Sequence, residues 1–508
     1  MNTEITPQFP TTIRRILLTF ITLVVGVVMG SALIASWNEP QVANRLELYQ
    51  TDLLLQATTW DGDGLPAEQV SLLRKNLVGE TPLKDAQTAY EKVRATATAT
   101  LESEVAEAGE AASARLQTAL AGQAELLDLL DLRLGILSAE QDDVPKALQN
   151  WASVKGRHSV GDALWQTADT LELLWQDQPV PMEGDRLLAN TLNGWFRNCA
   201  LTQLYDRTQA SEQLAQLQQA EAAAAERTVL VLAAVGGVPV IGTLAGAIIL
   251  GIVGIQRFVK GSESLLARNR EQRWETPWTA ETIWLVLVGG FFFMGQLLVP
   301  ITIGLLRAPF TGWGIRGQAL YALSYYLLMS AGTIAVLWFA IRTYRPLPKG
   351  WFRFNFKSNW LLWGLGGYLA ALPLMLGVAV VNQQLWQGQG GSNPLLQTVL
   401  EANDSGALAI FFTTAAIAAP LFEELLFRGF LLPSLTRYMP VWGAIVLSSF
   451  IFAAAHLSLS EILPLMVLGM ILGVVYTRSR NLLAPMLLHS AWNSITMLGL
   501  FLLGSSAS

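Results

Sequence analysis

Residues 405–432 read SGALAIFFTTAAIAAPLFEELLFRGFLL. Only Glu423, Glu424 and Arg428 in this run carry charge. As a helix it would extend about 42 Å at ~1.5 Å per residue, enough for the roughly 30 Å hydrocarbon core of a bilayer. A run of this kind is a membrane span, and the rest of the chain can be read outward from it.

The pattern repeats on both sides. Uncharged segments lie at 16–35, 228–255, 283–306, 319–341, 360–381, 440–457, 463–477 and 481–503. With 405–432 they predict an all-α, polytopic transmembrane bundle of about nine spans. Segment 463–477 is the shortest and is expected to be tilted or partly re-entrant. The first segment is long for a signal-peptide core, so an uncleaved anchor is expected. Arg14 and Arg15 precede it, and loops 256–282 and 342–359 and the turns at Arg437, Arg478 and Arg480 are basic. All of these fall on one side if the spans alternate, which the positive-inside rule makes the cytoplasm.

Charge divides the chain further. Of 508 residues only 14% are charged, and the formal net charge is −6. Residues 38–227 hold 15 basic and 29 acidic side chains, a net of −14, while the remainder holds 18 and 10, a net of +8. An acidic, Leu/Ala/Gln/Glu-rich block is thus inserted between spans 1 and 2. Leu126, Leu129, Leu130, Leu132 and Leu134 recur in it among charges, as in helices packed on helices. The expected division is a membrane anchor at 1–37, an exoplasmic helical domain at 38–227, accessory spans at 228–359 and a C-terminal bundle at 360–503. The single cysteine, Cys199, excludes an intrachain disulfide. No basic cluster with interleaved aromatics is present, so nucleic acid is not an expected partner. The lipid bilayer is, and the acidic domain is a candidate for binding a protein partner.

The charges inside the membrane carry the functional information. Each costs about 2.5–3.5 kcal/mol at a helix centre, so such residues face a protein interior or a cavity. Glu424 and Arg428 are four apart on one helix face and can pair. Glu423 is rotated by about 100° from Glu424, has no local partner, and suits a general base. Two of the three histidines lie in apolar segments, in Phe452-Ala453-Ala454-Ala455-His456 and in His489-Ser490-Ala491-Trp492-Asn493. Phe452 lies one turn from His456, and His489 and Asn493 share a face. An Asn amide is a suitable oxyanion donor.

Taken in order, Glu423-Glu424-x3-Arg428, Phe452-x3-His456 and His489-x3-Asn493 resemble the signature of the CPBP family of intramembrane proteases. That family includes type II CAAX prenyl endopeptidases and bacteriocin-immunity-type membrane proteases. The resemblance covers about residues 360–503. It implies an endopeptidase acting on a membrane-associated protein or peptide, in which Glu423 and His456 activate a water. It further implies that His489 and Asn493 bind the oxyanion, with Glu424, Arg428 and Phe452 supporting the site. Glu423, His456 and His489 are also chemically plausible zinc ligands, although no His-Glu-x-x-His helix is present. Two other readings compete with the enzyme. One is a non-catalytic scaffold or chaperone that retains the fold. The other is a proton-coupled transporter, for which the first four spans offer no buried charge.

Overall fold

The computed structural model describes residues 11–38, 41–62, 64–108, 114–305, 313–401 and 404–507, and no strand occurs among them. Among the described residues, eight helices are long and apolar enough to cross a membrane. They fall within Thr12–Ala35, Ser211–Glu263, Ala280–Leu305, Gly314–Tyr344, Trp360–Trp386, Ser405–Leu435, Leu459–Ser479 and Leu483–Gly504. Each coincides with a segment expected from hydropathy, apart from residue 306, which lies outside the described residues. The protein is an all-α, multi-pass membrane protein.

The ninth expected span differs. Its helix is Val441–Ala454, 14 residues long, or about 21 Å at ~1.5 Å per residue. That is short of a full crossing. The chain stays apolar through Leu457, but the helix ends because His456 interferes with it. The His456 Nδ1 lies 2.9 Å from the carbonyl oxygen of Phe452, the acceptor a continued helix would give to the His456 amide. That amide bonds the Ala453 carbonyl instead, at 3.1 Å. Leu457 then takes a left-handed φ of 57°. Segment 463–477, by contrast, is not short: its helix is Leu459–Ser479, 21 residues.

The chain forms two compact units, residues 1–39 with 239–498, and 40–238 with 499–508. In the first, the N-terminal helix is held by polar contacts. Arg14 Nε and Arg15 Nε donate to the two carboxylate oxygens of Glu281 at 2.7 and 3.1 Å, and Trp284 Nε1 donates to Thr22 Oγ1 at 2.8 Å. The helix Val238–Lys260 approaches Trp360–Trp386 closely at Gly246, where any Cβ would collide with the Leu369 carbonyl. Small residues permit such contacts between membrane helices.

The second unit is a helical domain with its own core, built on Leu130, Leu134, Trp151, Leu171 and Phe196. Every residue of Leu130–Ala139 is buried, so this Leu-rich stretch is a central helix of the unit, packed on its neighbours as its leucines led us to expect. Among the described residues, its buried charges are paired. Asp131 accepts from Arg94 and Arg157. Arg133 Nη1 bonds Asp52 Oδ2 at 2.9 Å and the Tyr90 hydroxyl at 2.8 Å. Burial pushes the Asp52 carboxyl above its usual range, and the Arg133 charge opposes this. Arg133→Met would strand that carboxylate. We expect a loss of about 3–5 kcal/mol, read as a lower melting temperature of this domain in the detergent-solubilised full chain.

His158 supplies a pH dependence. Its Nε2 lies 2.7 Å from Asp128 Oδ2 and its Nδ1 3.4 Å from Asp162 Oδ2. The Asp128 hydrogen bond holds the imidazole above its ordinary value. A raised folded-state value means stability that is complete below the unfolded value near ~6.5 and is lost as pH rises through the folded value. The domain should melt on the order of 2 °C lower at alkaline pH than at mildly acidic pH. In His158→Gln the difference should vanish; an unchanged pH dependence in that variant would refute the assignment.

Candidate active site

The Ser405–Leu435 helix is not a regular α-helix. Wider π-helical turns occupy Thr413–Ala418 and Glu424–Leu431, with Pro420, which has no amide hydrogen, between them. Such turns rotate side chains out of α-helical register and are common at functional sites. They frame Glu423 and Glu424.

Glu424 and Arg428 are almost fully buried, with side chains 0% and 1% exposed. Arg428 Nη1 donates to Glu424 Oε1 at 2.8 Å. The same oxygen lies 2.9 Å from His489 Nδ1, so Glu424 joins two helices. Arg428 Nη2 donates to the Gly469 carbonyl at 3.1 Å, which adds a third. The guanidinium also lies over the Phe452 ring, 4.6 Å from its centroid.

Phe452 organises both histidines. Its ring is fully buried and meets His456 at 5.0 Å and His489 at 5.9 Å, both edge to face. His456 Nδ1 is occupied by the Phe452 carbonyl, which leaves Nε2 unengaged by that contact. His489 Nδ1 is occupied by Glu424, so its Nε2 turns towards Glu423 Oε2, at 3.9 Å. Six of the seven residues singled out from sequence are therefore connected through direct contacts: Glu423, Glu424, Arg428, Phe452, His456 and His489. Asn493 attaches differently. Its Nδ2 donates to the Ala415 carbonyl at 2.7 Å, in the first π-turn of the Glu423 helix.

Two neighbours escaped the sequence reading. Tyr326, on the helix Gly314–Ile341, donates its hydroxyl to Glu423 Oε1 at 2.9 Å. Glu423 thus has a partner from a distant helix, although none from its own. Glu461 lies in the first turn of the helix Leu459–Ser479 and accepts from the Asn393 amide at 2.7 Å. Neither residue has a diagnostic spacing; the only available signal was a polar group beside an apolar run.

Among the described residues, no group of three His, Cys, Asp or Glu side chains closes on a common point able to hold a metal ion. Both histidines engage Nδ1 with protein groups, an arrangement that metal-binding imidazoles share, so the ligand grouping alone bears on the zinc reading. The residues do not fit a three-ligand zinc centre in this arrangement.

A multi-pass helical bundle with ionisable side chains from three helices gathered inside it defines a class: a membrane-embedded protein with a buried polar centre. Residues 405–495 match the profile of the family described as "Type II CAAX prenyl endopeptidase Rce1-like". All three motifs lie inside this matched segment, so the resemblance drawn from them holds there. Among curated proteins, the chain is 24% identical over 168 residues to the "Putative membrane peptidase YdiL" of Bacillus subtilis (strain 168), covering 32% of this chain and 68% of that one. It is 23% identical over 226 residues to the "Membrane-embedded CAAX protease MroQ" of Staphylococcus aureus (strain USA300), covering 42% and 89%. An uncharacterised 24.3 kDa protein of Escherichia coli is 28% identical over 183 residues, covering 34% and 80%. No solved structure matches.

Proposed function

We propose that this protein is an intramembrane endopeptidase in which Glu423 activates a water for attack on a peptide carbonyl. The observation that carries the reading is the relation of Glu423 to His489. Glu423 Oε2 and His489 Nε2 are 3.9 Å apart, a separation that one water can bridge with a hydrogen bond of about 2.8 Å to each. Glu424 anchors the far side of the imidazole and fixes which nitrogen faces that gap.

The steps follow from this arrangement. Glu423 Oε2 takes a proton from the water as its oxygen bonds to the carbonyl carbon. His456, through Nε2, helps to hold the water. The oxyanion accepts hydrogen bonds from His489 Nε2–H and from the second amide hydrogen of Asn493, the first being committed to Ala415. The proton held by Glu423 passes to the departing amine as the C–N bond breaks.

In this reading the N-terminus and the basic loops face the cytoplasm. The acidic domain at 38–227 lies on the exoplasmic side and is available to a protein partner. The substrate is a membrane-associated protein or peptide. The test is substrate trapping. Cells carrying Glu423→Gln should accumulate, and co-purify with the variant, a protein that wild-type cells cleave, and mass spectrometry would locate the cut. A scaffold or chaperone would instead show the same partners and the same intact species in both strains.

A further inference from the structure

Glu423 is the least sheltered of the two intramembrane glutamates, and its contacts differ from those of Glu424. Glu424 is served by Arg428 and His489 on a single oxygen. Arg428 is already committed to Glu424 and to the Gly469 carbonyl, and so does not bond Glu423. A carboxylate in an apolar bundle needs a donor, or it swings to whichever group offers one. The donor is the phenol of Tyr326, 2.9 Å from Oε1. The Ala419 carbonyl is also within 3.5 Å of that hydroxyl, but one O–H can serve only one acceptor well, and the shorter, charged one is favoured. The Tyr326 ring is set by an edge-to-face contact with Phe422, at 6.0 Å and 85°. The residue before Glu423 thus orients the ring whose hydroxyl restrains Glu423.

We propose that Tyr326 is a positioning residue for Glu423: its hydroxyl occupies Oε1 and so leaves Oε2, the oxygen facing His489 Nε2, as the one that handles the proton. The proposal rests on the reading of Glu423 as the base. A tyrosine suits the task because it donates without adding a charge. A lysine or arginine at the same place would pair with Glu423 and compete with the water. The inference also extends the site beyond residues 405–495 to the helix Gly314–Ile341, which the sequence reading treated only as accessory. The carboxylate is restrained from one side by Tyr326 and faced from the other by His489, and the two groups sit on different oxygens.

The closing experiment uses the purified full-length chain with two readouts. Tyr326→Phe keeps the ring on Phe422 and removes only the hydroxyl. In cleavage assays on the trapped substrate, kcat should fall about 10- to 100-fold with KM within roughly twofold and the melting temperature unchanged, because the loss lies in orientation and not in binding. The second readout needs no activity: labelling by dicyclohexylcarbodiimide, quantified by mass spectrometry. Freed of its hydrogen bond, the Glu423 carboxylate should label several-fold faster in Tyr326→Phe, with Glu461 as internal reference and Glu423→Gln as the blank. Unchanged labelling would overturn the restraint. Faster labelling with unchanged kcat would overturn the positioning role. If wild-type protein shows no Glu423-dependent cleavage, the peptidase reading fails and the proposed role in catalysis with it, while labelling still decides whether Tyr326 restrains the carboxylate.

Discussion

Glu423→Gln is expected to lose peptide-bond cleavage by about 10²–10⁴-fold, the range a positioned general base contributes, while its melting temperature is unchanged or slightly higher. The Gln amide has the same size, and its Oε1 still accepts from the Tyr326 hydroxyl, which now sits 2.9 Å from Glu423 Oε1. The group that would face His489 Nε2 becomes an NH₂, which cannot take a proton from water. Folding should not suffer, because the substitution removes a charge from an apolar bundle, where charges are unfavourable. Single-turnover cleavage measured beside thermal melting separates the two effects. Full activity in the purified variant would end the mechanism proposed here.

Arg428→Met is expected to produce the largest stability loss in the membrane unit, about 3–5 kcal/mol, because it strands a buried charge. Glu424 has no exposure through which water could replace the guanidinium. The variant also loses the bond to the Gly469 carbonyl and the cation over Phe452. The double variant Glu424→Gln/Arg428→Met tests the cause. With both charges removed, much of the stability should return, as for other buried pairs. Activity should not return, because His489 Nδ1 would lose the carboxylate that orients its imidazole, 2.9 Å away in the parent. Unfolding in a graded SDS series reads the first quantity and cleavage the second. An Arg428→Met protein as stable as the parent would show that Glu424 is uncharged in the fold.

The membrane topology was largely legible because it depends on composition alone. A run of some twenty uncharged residues has few alternatives to a spanning helix. Val441–Ala454 shows where this reasoning stopped. Hydropathy carries the segment on to Leu457, but one side-chain-to-backbone bond, from His456 to Phe452, ends the helix early. Apolar pattern contains no information about that bond. In the same way, the leucines from Leu126 to Leu134 read correctly as part of a packed helix, but the burial of Asp131 and Arg133 within it depends on partners supplied by Arg94, Arg157 and Asp52.

The candidate site was legible to the extent that charge in hydrocarbon is unfavourable and therefore conspicuous. Glu423, Glu424, Arg428, His456 and His489 stood out for that reason, and spacing alone put Glu424 within reach of Arg428. Sequence could not show that Glu424 also engages His489, 65 residues away, or that Asn493 gives one amide hydrogen to Ala415. It did not single out Tyr326, because a tyrosine in an apolar helix is unremarkable until a carboxylate is seen beside it. The sequence by itself therefore determined which segments are helices, which of them suit a membrane, and which side chains are too polar to lie there without a purpose. Tertiary structure alone decided which nitrogen of each histidine is free and which oxygen of Glu423 is available. These are properties of contacts between helices distant in the chain, and hydrogen-bond geometry is set only when those helices pack.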